Sequence, residues 1–251
     1  MRYLILSDVH ANLPALDAVL LHAGQRGYDA VIFLGDAVGY YPHAEEVLQR
    51  LIAVDPQVRI LGNHDAALLD MLTGASEKRD ASVVSEVLER HLEVLSDDSV
   101  AFLRTLEPHH VAEKWEATHG ALGRRWDYLA NLSAAQANLP LMTTRLLFVG
   151  HTHFPKVFAS VTTAGHDMWR TVAFRHERGQ YRVPPLARVI ANPGAVGQPR
   201  DQVPLAAYAL FDLESMSLDF HRVAFDVAAV QADVRAHGYP EVLAARLALG
   251  R

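Results

Sequence analysis

Five stretches of this chain end apolar runs on residues that bind cations or move protons. They are Asp8-Val9-His10, Gly35-Asp36, Gly62-Asn63-His64-Asp65, His119-Gly120 and Gly150-His151-Thr152-His153. Aspartate, asparagine and histidine supply the oxygen and nitrogen donors that suit divalent first-row metals. Taken alone, His119 reads as a half-buried structural histidine, and His-X-His or Asp-X-His stands open between packing and a ligand pair. Five such endings together read differently, because unpaired aspartates and histidines gathered on one rim cost free energy unless something binds them. The chain has no cysteine and 14 histidines. Thiol nucleophiles, zinc knuckles and disulfides are therefore excluded, and a metal site here must be built from imidazole, carboxylate and amide.

For these residues to meet, the elements before them must run side by side. The apolar run 3–6 leads to a helical pattern over 13–27, 30–34 to a helix at about 43–53, and 58–61 to another from about 65. This βαβαβ order predicts a parallel sheet covered by helices. The C-terminal strand ends of such a sheet share one rim. Gly35, Gly62 and Gly150 suit loops in which the backbone turns sharply beside a ligand. Residues 80–107 predict two helices, with Ser96-Asp97-Asp98 as the cap between them. The second half is a series of short, partly alternating strands, with 165–179 reading as a hairpin excursion. The tail reads as two helices broken at Gly238-Tyr239-Pro240. No repeat or linker interrupts the pattern. The expected architecture is one domain over 1–251, two sheets packed face to face with helices outside. It carries a helical excursion at about 66–107 and a helical tail at about 226–251.

Half of the 251 residues are hydrophobic, enough for a sizeable core. A formal charge of -6 argues against a broad basic surface, so neither long DNA nor a stable nucleic-acid partner is expected. The N-terminal apolar run reaches Asp8 too soon for a signal peptide, and no window approaches the roughly 20 apolar residues of a membrane span. A soluble, cytoplasmic protein without a membrane partner is the expectation.

The five stretches resemble the full motif set of the calcineurin-like metallophosphoesterases, in the family's order, over residues 8 to 153. The stretches 8–16, 35–42 and 192–201 are similar, more narrowly, to small prokaryotic phosphodiesterases of that superfamily. The resemblance implies an α/β fold (α+β by some schemes), a four-layer αββα sandwich of two mixed sheets flanked by helices. It implies two metal ions bridged by Asp36, with Asp8, His10 and His153 completing one site and Asn63, His119 and His151 the other. Manganese is the first choice, with iron, zinc, cobalt or nickel also compatible with such mixed ligation. Two divalent ions against Asp8, Asp36 and one bridging hydroxide leave a net positive charge for a phosphate, and that hydroxide is placed for in-line attack.

On this reading His64 is the acid that protonates the leaving oxygen. Asp65 either orients it or caps the following helix. Asn12 stands between a supporting contact to the site and a helix cap, Tyr40 and Tyr41 between nucleobase stacking and packing, and Arg200 between a phosphate contact and a solvated surface. Arg124, Arg125 and Trp126 follow His119 closely enough to line an entrance. His22, His43, His91, His109, His110, His166, His176, His221 and His237 match no motif and read as structural or exposed. No arginine follows Asp36 directly, unlike the serine/threonine phosphatases of the superfamily, which argues against protein phosphatase activity. The expected function is hydrolysis of small-molecule or nucleotide phosphodiesters. The alternatives are a phosphomonoesterase or dinucleoside-polyphosphate hydrolase, and, in another class, a non-catalytic metal-binding interaction protein.

Overall fold

The first three apolar runs become parallel neighbours. In the computed structural model, which describes residues 1–75, 82–163 and 166–251, β1 (Arg2–Leu6), α1 (Leu13–Gly24), β2 (Ala30–Phe33), α2 (Ala44–Val54) and β3 (Val58–Arg59) follow the predicted order. Tyr3 pairs with Ala30 and Ile32 with Val58, both in parallel register. Strand alternation assigns the two faces. Leu4, Leu6, Val31 and Phe33 pack under the helices, while Tyr3, Ile5, Ile32 and Leu34 face the other way into a second cluster. Both faces are buried, which is why these strands read as continuous apolar runs. α1 starts where the Asn12 side chain accepts the Ala15 N–H at 3.2 Å, and it buries Ala15, Leu16, Val19 and Ala23 against the sheet.

Helices α3 (Asn63–Thr73), α4 (Val83–Leu92) and α5 (Asp97–Leu103) form the predicted excursion, of which 76–81 lie outside the described residues. Ser96 caps α5 by accepting the Ser99 N–H, as the sequence suggested. There follow β4 (His109–Val111), β5 (Glu116–Thr118), α6 (Leu132–Asn138) with a single 3-10 turn at Leu139–Leu141, and β6 (Leu146–Phe148). Strands β7 (Lys156–Thr163), β8 (His166–Ala173), β9 (Arg178–Arg182), β10 (Ala187–Asn192), β11 (Ala206–Asp212) and β12 (Ser217–Val223) come next, then α7 (Val227–Ala236) and α8 (Glu241–Ala248).

Two mixed six-stranded sheets result, ordered β3-β2-β1-β11-β12-β9 and β4-β5-β6-β10-β7-β8. Between them lie Tyr3, Ile5, Trp115, Phe148, Val189 and Phe211. On the outer face of the second sheet Leu147, Val149, Phe158 and Ile190 pack against Ala135, Leu139 and Met142 of the α6 segment. The fold is α/β, in four layers, as expected.

Residues 165–179 are not a hairpin. The antiparallel pair is β7 with β8, residues 164–165 lying outside the described residues, and β9 crosses to the other sheet, where Gly179 pairs with Phe220. Phe174, between the two sheets' strands, stacks on Phe220 at 3.9 Å and fills the space that a side chain on Gly179 would need. Alternation told which face each residue takes but not which sheet the strand joins.

Candidate metal centre

The loops after β1 and β2 stay paired beyond the strands: Asp8 N–H donates to Gly35 O and His10 N–H to Asp36 O, each at 3.0 Å. There the backbone turns left-handed. Asp8, His10, Asp36, His151 and His153 have φ of 53°, 51°, 60°, 64° and 62°. Such values are uncommon for residues with a Cβ, and aspartate and histidine tolerate them better than most. Gly62 brings the third loop in close, since a Cβ there would lie 2.1 Å from Asp36 Oδ1. The next residues supply Asn63 and the His64 N–H, which donates to that oxygen at 2.9 Å. β5 delivers His119 and β6 delivers His151 and His153 from the second sheet.

Four imidazoles are oriented in the same way, by a backbone carbonyl. The Nδ1 atoms of His10, His119 and His153 lie 3.0, 2.7 and 2.5 Å from the carbonyl oxygens of Val38, Leu34 and Gln198. His151 uses Nε2, 3.0 Å from Trp126 O. A neutral imidazole has one N–H, so in His10, His151 and His153 these bonds fix the tautomer and leave the other nitrogen as an acceptor. His10 Nε2 and His153 Nε2 stand only 3.2 Å apart, and Asp8 Oδ1 is 3.2 Å from the latter. Across Asp36, His119 Nε2 lies 3.2 Å from Asn63 Oδ1 and 3.3 Å from Asp36 Oδ2. Asp36 Oδ2 is buried without a hydrogen-bond partner. Oxygen and nitrogen atoms gathered this closely suit a cation between them. The groups Asp8/His10/His153 and Asp36/His119/His151 are each tight enough to hold one, and a third overlapping group joins His10, Asp36 and His64. The donor set fits metal binding.

The charges agree. Burial would push His119 down, yet Asp36 and Asp8 outweigh it and raise it to about 9. Burial opposes ionisation of Asp36 and Asp8 too, but the surrounding histidines hold both below the usual carboxylate range. Burial lowers His10, His64 and His153, and takes His151 down to about 4. The two buried carboxylates thus draw positive charge into the pocket, the electrostatics a cation site needs.

The remaining sequence candidates divide. Arg200 reaches the centre's edge, donating to the Tyr40 hydroxyl at 3.0 Å, and its charge helps lower both His64 and His153. Tyr40 is 8% exposed, its ring 4.5 Å from His10 and 4.7 Å from His64, so it packs rather than stacks on a base. Tyr41 is wholly buried and its hydroxyl accepts from Gln198 Nε2, which removes it as a substrate contact. Asn12 is likewise taken up by the fold: besides capping α1 it donates to Gly197 O at 2.8 Å. Asp65 makes its bonds to backbone N–H groups of Asp36, Ala37, Val38 and Gly62, and none to His64. His64 Nδ1 is buried with no partner. Arg124 and Arg125 are exposed, and Arg125 lies 5.4 Å over the Trp126 ring.

Sequence reasoning missed several participants. Ser7 donates to Asp8 Oδ2 at 2.6 Å. Tyr128, 51% exposed, stacks flat on His151 at 4.1 Å. Gln198 orients His153 through its carbonyl and Arg200 through its side chain. Arg246 of α8 lies 5.6 Å from the Tyr40 ring. Asp201 ties the Arg200 loop to β12 through a buried ion pair with Arg222. Of these Ser7 stands next to Asp8, and Gln198 and Asp201 lie in the stretch 192–201 that carried the resemblance, whereas Tyr128 and Arg246 carried no signal in the sequence.

A family model described as the calcineurin-like phosphoesterase superfamily domain matches residues 1–216. A metallophosphoesterase of known structure from Sphaerobacter thermophilus is 35% identical and superposes with a TM-score of 0.84 over 100% of both chains. An uncharacterised protein of Methanocaldococcus jannaschii is 28% identical over 98% of this chain and 97% of its own. A symmetrical bis(5'-nucleosyl)-tetraphosphatase of an Enterobacter species is 29% identical over 51% of this chain and 45% of its own.

Proposed function

This chain belongs to the calcineurin-like phosphoesterase superfamily, a metallophosphoesterase and so a phosphoric ester hydrolase, and from that premise we propose that it is a two-metal phosphodiesterase acting on small-molecule or nucleotide phosphodiesters. The observation that carries the proposal is the run of three overlapping metal-sized groups of buried Asp and His, with Asp36 in two of them. Asp8, His10, Asp36 and His153 would hold one ion, and Asp36, Asn63, His119 and His151 the other, with manganese the first candidate. Such ions, when bound, supply Lewis-acid chemistry, polarising phosphoryl oxygens and acidifying water.

The chain's own residues do the rest. Arg200, fixed by Gln198 and Tyr40, offers its guanidinium to a non-bridging phosphoryl oxygen. His64 holds the proton for the departing oxygen. Its Nδ1 is buried without a partner, so near Gly39 that a Cβ there would come within 2.5 Å, which leaves Nε2 for that proton. Asp65 acts at one remove, by fixing the loop that carries Asp36. Trp126 and Tyr128 present exposed aromatic faces beside His119 and His151, suited to a nucleobase or another flat group.

A second reading, hydrolysis of dinucleoside polyphosphates, is favoured by the part-length likeness to the symmetrical tetraphosphatase. One experiment separates these. Metal-stripped protein is reloaded with one metal at a time and assayed on monoesters, diesters and dinucleoside polyphosphates. Highest kcat/KM on diesters is expected; highest on the polyphosphates selects the second reading. No turnover with any metal on any ester would overturn the catalytic assignment in favour of a metal-binding interaction protein.

A further inference from the structure

α4 places one side chain against the loop that follows Asp36. His91 is wholly buried. Its Nε2 lies 2.8 Å from the Tyr41 carbonyl oxygen, and its Nδ1 accepts the Gly39 N–H at 3.3 Å. The ring therefore carries its proton on Nε2 and bridges the two ends of a three-residue turn. Both bonds need a neutral imidazole, and burial keeps it so by lowering its pKa to about 4.

Between the two bonded residues stands Tyr40, at a φ of 65°. Its ring packs on His10 and His64 while its hydroxyl accepts from Arg200. Gly39 itself, at a φ of 93°, lies so close to His64 that a Cβ would come within 2.5 Å of Nδ1. His91 is held in turn from behind. Its chain neighbour Arg90 donates to His237 O at 2.9 Å and covers the Tyr239 ring, which lies 6.3 Å from the His91 ring. A continuous set of contacts thus runs from the C-terminal helices through α4 to the imidazole of His64.

We propose that His91 is a positioning residue for the reaction, clamping Gly39 and Tyr41 so that Tyr40 and His64 keep the geometry needed at the leaving-group side. The inference rests on the reading of His64 as the leaving-group acid. A filler of the core would do the same job as any apolar ring of similar size. A clamp needs one donor and one acceptor, and that difference is testable.

The test compares His91→Phe, which keeps ring volume and loses both bonds, with His91→Gln, which keeps a donor and an acceptor. Metal content, hydrogen exchange of the 37–43 backbone, and kcat on a nitrophenyl and an alkyl phosphodiester are measured for both. They are also measured for His64→Gln alone and combined with His91→Phe. Expected for His91→Phe are two retained metals, faster exchange at Gly39, and kcat lower by about tenfold on the alkyl ester and much less on the nitrophenyl ester. His91→Gln should recover most of that loss, and His91→Phe should add little in the His64→Gln background. Unchanged kcat and exchange in His91→Phe, equal losses on both esters, or full additivity with His64→Gln would overturn the clamp. If His91→Phe does not fold, His91→Gln with slower exchange than His91→Ala supports it, and equal exchange in the two overturns it. Equal losses on both esters in His64→Gln alone would instead remove the acid assignment, with the exchange data still deciding whether His91 holds the turn.

Discussion

The Asp65 carboxylate accepts the backbone N–H of Asp36 at 2.7 Å. It also accepts from Gly62, Ala37 and Val38, so one side chain ties the start of α3 to the loop that carries the Asp36 carboxylate. Asp65→Asn keeps the shape but turns an NH₂ toward backbone N–H donors. A loss of about 1–3 kcal/mol is expected from the buried groups left unpaired. Thermal unfolding should show it, and calorimetric titration should show weaker metal binding. Unaltered stability and affinity would mean that these four bonds do not define the loop.

Asp36→Asn removes the carboxylate assigned to both ions under the two-metal proposal, a residue found in two of the three metal-sized groups. Binding at both sites should weaken sharply, by elemental analysis after dialysis against a mild chelator. Two tightly retained ions per chain would refute the shared-ligand assignment.

His64→Gln should retain both metals and bind substrate. Its kcat should fall by about 10²–10⁴-fold on an alkyl or nucleoside diester, the range of general acid catalysis, and modestly on a nitrophenyl diester whose anion departs unaided. Equal losses, or a lost ion, would make His64 a phosphate-positioning group or a ligand.

Gly39→Ala forces a Cβ against His64 Nδ1 from a left-handed backbone. A cost of about 1–2 kcal/mol from the backbone alone is expected. The rate should fall on poor leaving groups with metal content unchanged, read by kcat and elemental analysis. A wild-type rate would mean that the His64 ring tolerates displacement.

His91 also bears on stability against pH. Its folded pKa, about 4, lies below the ordinary 6.5, so between those values the unfolded chain binds more protons than the folded one. The contribution is then fully present above pH 6.5 and lost as pH falls toward 4. One proton corresponds to about 1.4 kcal/mol per pH unit. Denaturant unfolding of His91→Gln, in the same metal state as wild type, should show a slope lower by up to that amount in this window and none above it. Parallel curves would mean that His91 is protonated in the native protein.

Much of the centre was readable because its signals are local. An apolar run closed by Gly-Asp, Gly-Asn-His or Gly-His-X-His announces both the strand and what stands at its end, and parallel order then brings Asp8, Asp36 and Asn63 to one rim. β4 was not readable, because His109-His110-Val111 is no apolar run and becomes a strand only by pairing with β5. Nor was the crossing of β9, since alternation names a face and not a partner. His91 carried no motif, for its partners are main-chain atoms about 50 residues away. Asp65 was legible as a cap at the start of α3; its reach across to residues 36–38 depends on tertiary approach.

The left-handed backbone at Asp8, His10, Asp36, His151 and His153 has an evolutionary consequence. Each such residue holds a conformation that glycine adopts at no steric cost, and each buries a carboxylate or imidazole among others of its kind. Selection for heat tolerance alone would therefore favour substitutions at these very positions, and the most durable variants would be inert ones. A directed-evolution campaign on this chain needs turnover as a counter-selection from its first round, because its gains in endurance and its catalytic apparatus compete for the same handful of codons.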